Sequence, residues 1–288
     1  MADYHEMWKD LGMDVETHDQ LCEVLPQAFG DVYLSQENRP EGMDYFNFVV
    51  AEIHGVRPAE LIEHQKKGGK VFGTFCVYVP DEIVFAADAI ATGLCGGSQF
   101  WVPGGEKVLP TNTCPLIKAS VGARLDRTCP FFRIADMYVG ETTCDGKKKA
   151  WEILSEDVPV HVMNLPQMKR AKDVKAWAEE IGEFKDKVEA FTGNKVTADK
   201  LAASIRLING KRKALQRLYD LRKNEKLPVS GCDALLISQI AFYDDPTRFA
   251  EMTNKLCDEL DKRVEDGVSV VADGTKRIML TGTPLANL

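Results

Sequence analysis

The chain has 288 residues, 44% hydrophobic and 28% charged, with a formal net charge of −8. That is an ordinary balance for a water-soluble globular protein of one large or two small domains, and its acidity argues against a nucleic-acid binder, which needs a basic surface. No apolar run approaches 18 residues, and the opening residues, with Asp3, His5 and Glu6, form no signal peptide, so no membrane role is expected and the chain is placed in the cytoplasm.

Residues 1–40 are polar, with helical pieces expected over Tyr4–Leu11 and His18–Phe29. Asp44–Lys67 reads as helical, since Phe46, Val49, Val50, Ile53, Leu61 and Ile62 recur near helical spacing, and Pro58 suits the first turn of a second helix. From Lys70 the period changes. Lys70–Phe75 is a short apolar strand, Pro80–Ala89 a helix with acidic residues in its first turn, and Ile90–Leu94 a second strand. A loop rich in Gly and Pro is expected from Ser98 to Thr113, then short helices after Pro115 and near Pro130. Asp136–Val139 is a third strand, Gly146–Leu154 a helix and Pro159–Met163 a fourth strand. Strands alternating with helices predict an α/β fold, a doubly wound parallel sheet of about four strands.

Beyond Pro166 helices are expected over Lys169–Thr192, Thr197–Arg222, Gly231–Phe242 and Pro246–Asp266, and the basic run Lys211–Lys213 reads as a solvated helix face. Lys276–Thr281 reads as a new strand with Gly282-Thr283-Pro284 as its turn. A lone strand needs partners, so the chain is expected to be a C-terminally truncated form of a longer protein. The expected division is an N-terminal helical arm or lid (1–67), a cysteine-rich α/β domain (68–168), a helical segment (169–270) and the first strand of a second α/β domain that is cut off (271–288).

Eight cysteines occur with no secretory signal, which favours a metal or redox role over disulfides, and no Cys-x-x-Cys pair supports a zinc ribbon. Cys114, Cys129 and Cys144 stand at equal fifteen-residue steps, each before an expected helix start. Helix N-termini favour the thiolate and anionic groups. In open parallel sheets ligands bind beyond the carboxyl ends of the strands. Cys76 follows the first strand, Cys95 the second and Cys144 the third, while Cys114 and Cys129 lie in the connection between the second and third. Five thiols are therefore expected on one sheet edge, a donor set suited to an iron–sulfur cluster. Lys147, Lys148 and Lys149 add positive charge there. Cys22, Cys232 and Cys257, on helical stretches elsewhere, read as core or surface thiols.

The segments LPTNTCPLIKASVG, CPFFRIADMYVGETTCDGKKKAWEIL and PVHVMNLPQ resemble the 2-hydroxyacyl-CoA dehydratase D-component family, which includes benzoyl-CoA reductase subunits; GTFCVYVPDEIVFAADAIATGLCGG matches the preceding βα unit. The resemblance implies two α/β domains with a cysteine-ligated [4Fe-4S] cluster between them, Cys114 and Cys144 matching the ligands of the first domain. It implies one-electron delivery to a 2-hydroxyacyl-CoA, whose ketyl radical expels the hydroxyl group, with the electron supplied by an ATP-hydrolysing iron–sulfur activator. It also implies a second subunit, a copy or a relative. The chain resembles most the family's double-cubane cluster proteins, homodimers with an [8Fe-9S] cluster that reduce small molecules; Cys76, Cys114, Cys129 and Cys144 fit that richer set, and Cys95 can join it. The remaining ligands would lie in the second domain, so a non-catalytic metal-binding subunit stands as the alternative for the chain alone. His161 reads as a satisfied strand histidine before an acid–base residue, Glu141 as a residue that orients a ligand or favours a helix start, and Lys118 and Ser120 as weaker candidates to meet an anion.

Overall fold

The computed structural model describes residues 3–94 and 96–279. The chain divides into two units, one built from residues 3–21 and 54–205, the other from 22–53 and 206–279; two of the divisions fall inside helices α2 (Val15–Phe29) and α11 (Ala198–Leu221), and the third between residues 53 and 54.

The first unit holds α1 (His5–Asp10), α4 (Val56–Lys66) and a four-stranded sheet of β1 (Val71–Thr74), β2 (Ile90–Gly93), β3 (Met137–Glu141) and β4 (Val160–Met163). The strands are all parallel, in the order β2-β1-β3-β4. The two inner strands are buried at every position, as expected where both faces of a parallel sheet are covered. Against one face, Phe184 and Val188 of α10 (Ala171–Thr192) and Ile83, Val84 and Ala87 around α5 (Asp81–Ala86) pack on Phe72, Met137, Val139 and Met163. A second, aromatic cluster gathers Phe75, Phe132, Tyr138 and Trp151, with ring centroids 4.6–5.9 Å apart. Trp151, on α9 (Asp145–Leu154), covers Gly140 with its ring: a Cβ on that glycine would meet Trp151 Cε2 at 2.4 Å. The expected α/β fold and every strand in it are present.

The expected loop over Ser98–Thr113 contains a short helix, α6 (Val102–Glu106), packed on α7 (Pro115–Leu125). A Val-Pro-Gly-Gly-Glu run has weak helical propensity. Tertiary contact decides it here: a Cβ on Gly122 would stand 1.9 Å from Trp101 O, and one on Gly105 2.1 Å from Lys118 O, so only glycine lets the two backbones touch. A further short helix, α8 (Pro130–Ile134), leads into β3.

The second unit is helical, with the later parts of α2 and α11, then α3 (Met43–Ala51), α12 (Gly231–Ile240) and α13 (Pro246–Glu265). Met43, Phe46, Phe249, Leu256 and Leu260 are fully buried in it. Arg39 pairs with the buried Asp233 at 2.6 Å and donates to Asn47 Oδ1 at 3.0 Å. Residues 276–279 carry no regular structure, and Ile278 and Met279 are over four-fifths exposed; a strand needs a neighbour for its N–H and C=O groups, and these residues have no strand partner among the described residues. The rest of the expected strand, and Gly282–Pro284, lie outside the described residues. Among the described residues no helix is long and apolar enough to cross a membrane.

Candidate functional site

The strand order sets where chemistry can occur. From β1 the chain moves outward to β2, then crosses back to β3 on the other side of β1 and continues to β4. The two central strands, β1 and β3, therefore part their connections in opposite directions, and in open α/β sheets it is beyond the carboxyl ends at such a switch point that ligands bind. Cys76, half-buried, lies just past β1, and Cys144 lies just past β3.

Cys144 is exposed and is the N-cap of α9; its carbonyl accepts the Lys148 N–H at 3.2 Å, and its thiol makes no capping bond. Cys114, also exposed, is the N-cap of α7 in the same manner, its carbonyl taking the N–H groups of Ile117 and Lys118 at 3.0 and 3.1 Å. In both, Pro or Asp-Gly after the cysteine starts the helix and leaves the sulfur unused by the cap. The two helix starts adjoin: a Cβ on Gly146 would lie 2.8 Å from Ile117 Cδ1 and 3.9 Å from Thr113 Cγ2. Two thiols thus stand at neighbouring helix N-termini, where backbone N–H groups suit a bound anionic group.

The other expected thiols are placed differently. Cys129, the N-cap of α8, is buried rather than on an exposed rim, and burial pushes its thiol up to about 11 despite N–H groups of Phe131 and Phe132 beside it. Cys95 lies outside the described residues. Cys257 is buried, with its thiol also pushed up to about 11 by burial, Cys22 is half-buried and Cys232 exposed.

The lysines do not form a free cationic patch. Lys147 pairs with the buried Glu141, Lys148 with Asp145 at 3.2 Å and Lys149 with Glu152 at 2.9 Å. Lys118 is buried and is not presented to an anion: its Nζ donates to Glu106 Oε1 at 2.6 Å and to Thr111 O at 2.7 Å, which ties the loop before Cys114 to α7. Ser120 Oγ donates to Leu116 O at 3.0 Å. His161 on β4 stacks against Phe184 at 5.4 Å, its Nε2 is buried with no hydrogen-bond partner, and burial holds its pKa below the usual imidazole range.

One constellation escapes the sequence reading. His18 and His54, 36 residues apart, are both buried and share a hydrogen bond, Nε2 to Nδ1, of 2.8 Å. Trp8 stacks on His18 at 4.2 Å and donates its Nε1 hydrogen to His54 O at 2.8 Å. Burial lowers the two imidazoles to about 4 and about 3, so both are neutral at pH 7. Cys22 lies one turn beyond His18 along α2; that His-x-x-x-Cys spacing was the available signal.

Residues 76–288 match the model of the 2-hydroxyglutaryl-CoA dehydratase D-component. The chain belongs to that family. It is 35% identical over 227 residues to YjiM of Escherichia coli (strain K12), which bears a dehydratase-subunit name, across 78% of this chain and 59% of that one. It is 29% identical over 174 residues to a benzoyl-CoA reductase subunit of Thauera aromatica, across 58% and 44% of the two chains. With the beta subunit of (R)-2-hydroxyglutaryl-CoA dehydratase from Acidaminococcus fermentans it shares 22% over 222 residues, 74% of this chain and 58% of that one. The chain thus spans less than two thirds of the length of these relatives. The match contains Cys76, Cys114, Cys129 and Cys144.

An iron–sulfur cluster is the group this family implies. Exposed sulfurs on adjoining helix N-caps are the right donors for it, and cluster ligands sit on separate irons, further apart than ligands of one ion.

Proposed function

We propose that this chain is the cluster-holding part of an iron–sulfur enzyme that passes low-potential electrons to a thioester substrate and promotes radical dehydration of a 2-hydroxyacyl-CoA. The observation that carries the proposal is the pair of exposed thiols, Cys114 and Cys144, on adjoining helix N-termini beside the switch point of the sheet. A bound [4Fe-4S] cluster supplies one-electron chemistry that no side chain can.

The chain's own residues hold and insulate. Cys114 and Cys144 supply thiolates, and the N–H groups of the first turns of α7 and α9 offset their charge. Lys118, locked to Glu106 and to Thr111 O, fixes the approach to Cys114. Cys76, past the adjacent strand, is the third candidate donor, and Cys129 would need to come out of its buried place to be a fourth. The aromatic cluster of Phe75, Phe132 and Trp151 beneath the edge keeps water from that side.

The relatives from Thauera aromatica and Acidaminococcus fermentans are both named as subunits, which supports a partner subunit here as well. In this reading the remaining ligands come from outside the described residues, an ATP-hydrolysing iron–sulfur activator delivers the electron, and the enzyme works in the cytoplasm. Anaerobic reconstitution tests the proposal. Iron and acid-labile sulfide of about four per chain support the single cubane, about eight the double-cubane cluster, and background iron removes the reading.

A further inference from the structure

Glu141 ends β3 with its carboxylate fully buried. Its Oε1 accepts the hydroxyl of Thr143 at 3.0 Å and the ammonium of Lys147. Its backbone carbonyl accepts the Trp151 Nε1 hydrogen at 2.9 Å. One residue therefore takes donors from the position before Cys144, from three positions after it, and from two turns along α9. The turn that presents the Cys144 thiol is clamped on both sides.

Packing alone does not account for this arrangement. A carboxylate taken from water loses several kcal/mol of hydration, which only good pairing offsets. Glu141 is paired through Oε1; among the described residues its buried Oε2 has no hydrogen-bond partner. An apolar residue of equal volume would fill the space without that cost. Lys147 stands in the first turn of α9, three positions after its N-cap Cys144. Its ammonium is held there by the carboxylate and does not range through solvent.

We propose that Glu141 and Lys147 form a paired-charge device that positions Cys144 and sets the electron affinity of the group held on its sulfur. This inference rests on the reading of Cys144 as a cluster ligand. Glu141 is a positioning residue and acts through Lys147. The lysine favours an added electron on the group held at Cys144, while the carboxylate opposes it. Glu141 is fully buried and Lys147 mostly so, and their charges are screened less than they would be in open water. Removing one partner or the other must therefore shift the site in opposite directions.

The experiment uses the full chain as wild type, Glu141→Gln, Lys147→Met and Lys147→Arg. The first arm needs no cluster: the alkylation rate of Cys144 by iodoacetamide at pH 7.5, followed by peptide mass spectrometry. Lys147→Met should slow it about threefold or more, Glu141→Gln should speed it, and Lys147→Arg should match wild type. The second arm is a redox titration of the reconstituted protein followed by EPR. Lys147→Met should shift the potential to more negative values and Glu141→Gln to more positive ones. Shifts in the same direction, or none in variants that melt like wild type, overturn the proposal. If Glu141→Gln fails to fold, the comparison of Lys147→Met with Lys147→Arg decides. If no iron is taken up, the cluster reading fails while the alkylation arm still judges the pair.

Discussion

Gly146 and Ile117 meet where the helices that begin at Cys144 and Cys114 come together: a Cβ on Gly146 would lie 2.8 Å from Ile117 Cδ1. The obstructing atom is the tip of a flexible side chain. Gly146→Ala should therefore cost under about 1 kcal/mol of stability. Gly146→Val adds a branch that the tip cannot escape, and should spread the two helix starts. The expected result is a melting temperature close to wild type for alanine, and lower iron retention after reconstitution for valine.

Single replacements of cysteine separate the ligands from the core thiols. Cys114→Ser and Cys144→Ser should each bring retained iron toward background, because both sulfurs are exposed and uncommitted to caps. Cys257→Ala should leave iron unchanged and lower stability by about 1 kcal/mol, the ordinary cost of trimming a buried side chain. Cys129→Ala distinguishes the cluster types: unchanged iron supports a single cubane, and loss of iron supports the larger cluster. Iron analysis beside a thermal melt reads all four.

Stability should fall in mild acid because of His18 and His54. Burial lowers both imidazoles, to about 4 and about 3, against about 6.5 in the unfolded chain. Between those values the unfolded state binds more protons, so stability is full above about pH 6.5 and declines as the pH falls toward 4. The slope is up to about 1.4 kcal/mol per pH unit for each histidine. Urea unfolding at pH 7.5, 6 and 5 should show this decline, and His54→Gln should flatten it.

Gly122→Ala should be far more damaging than Gly146→Ala. A methyl group there meets Trp101 O at 1.9 Å, and a backbone carbonyl cannot swing aside. Separating α6 from α7 should cost about 3 kcal/mol or more, with a matching drop in melting temperature. Gly30→Ala, with nothing within 4 Å of its would-be Cβ, is the control.

Much of the fold was legible because its signals are local. An apolar run after Gly68-Gly69 marks β1 and one closed by Gly96-Gly97 marks β2, and proline or Asp-Gly after a cysteine marks the starts of α7, α8 and α9. Helix α6 was not legible, since its Val-Pro-Gly-Gly-Glu run owes its shape to packing against α7, a separate helix later in the chain. At the site, a cysteine after a strand or at a helix start can be named from the chain. Whether its sulfur is exposed, like that of Cys114, or sealed in the core, like that of Cys129, depends on what packs over it. Lys118 makes the same point: its charge suggested an anion, and Glu106 already holds it.

The sequence by itself determined the period of each segment and hence an α/β chain with thiols at turns, because strand alternation, helix caps and turn residues act over a few positions. Only the tertiary structure decided the strand order that puts the switch point between β1 and β3, the meeting of the Cys114 and Cys144 helix starts, the clamp of Glu141 on Lys147 and the pairing of His18 with His54. Each joins groups through packed, water-poor space, where distance and burial set the strength of an interaction and no local pattern records it.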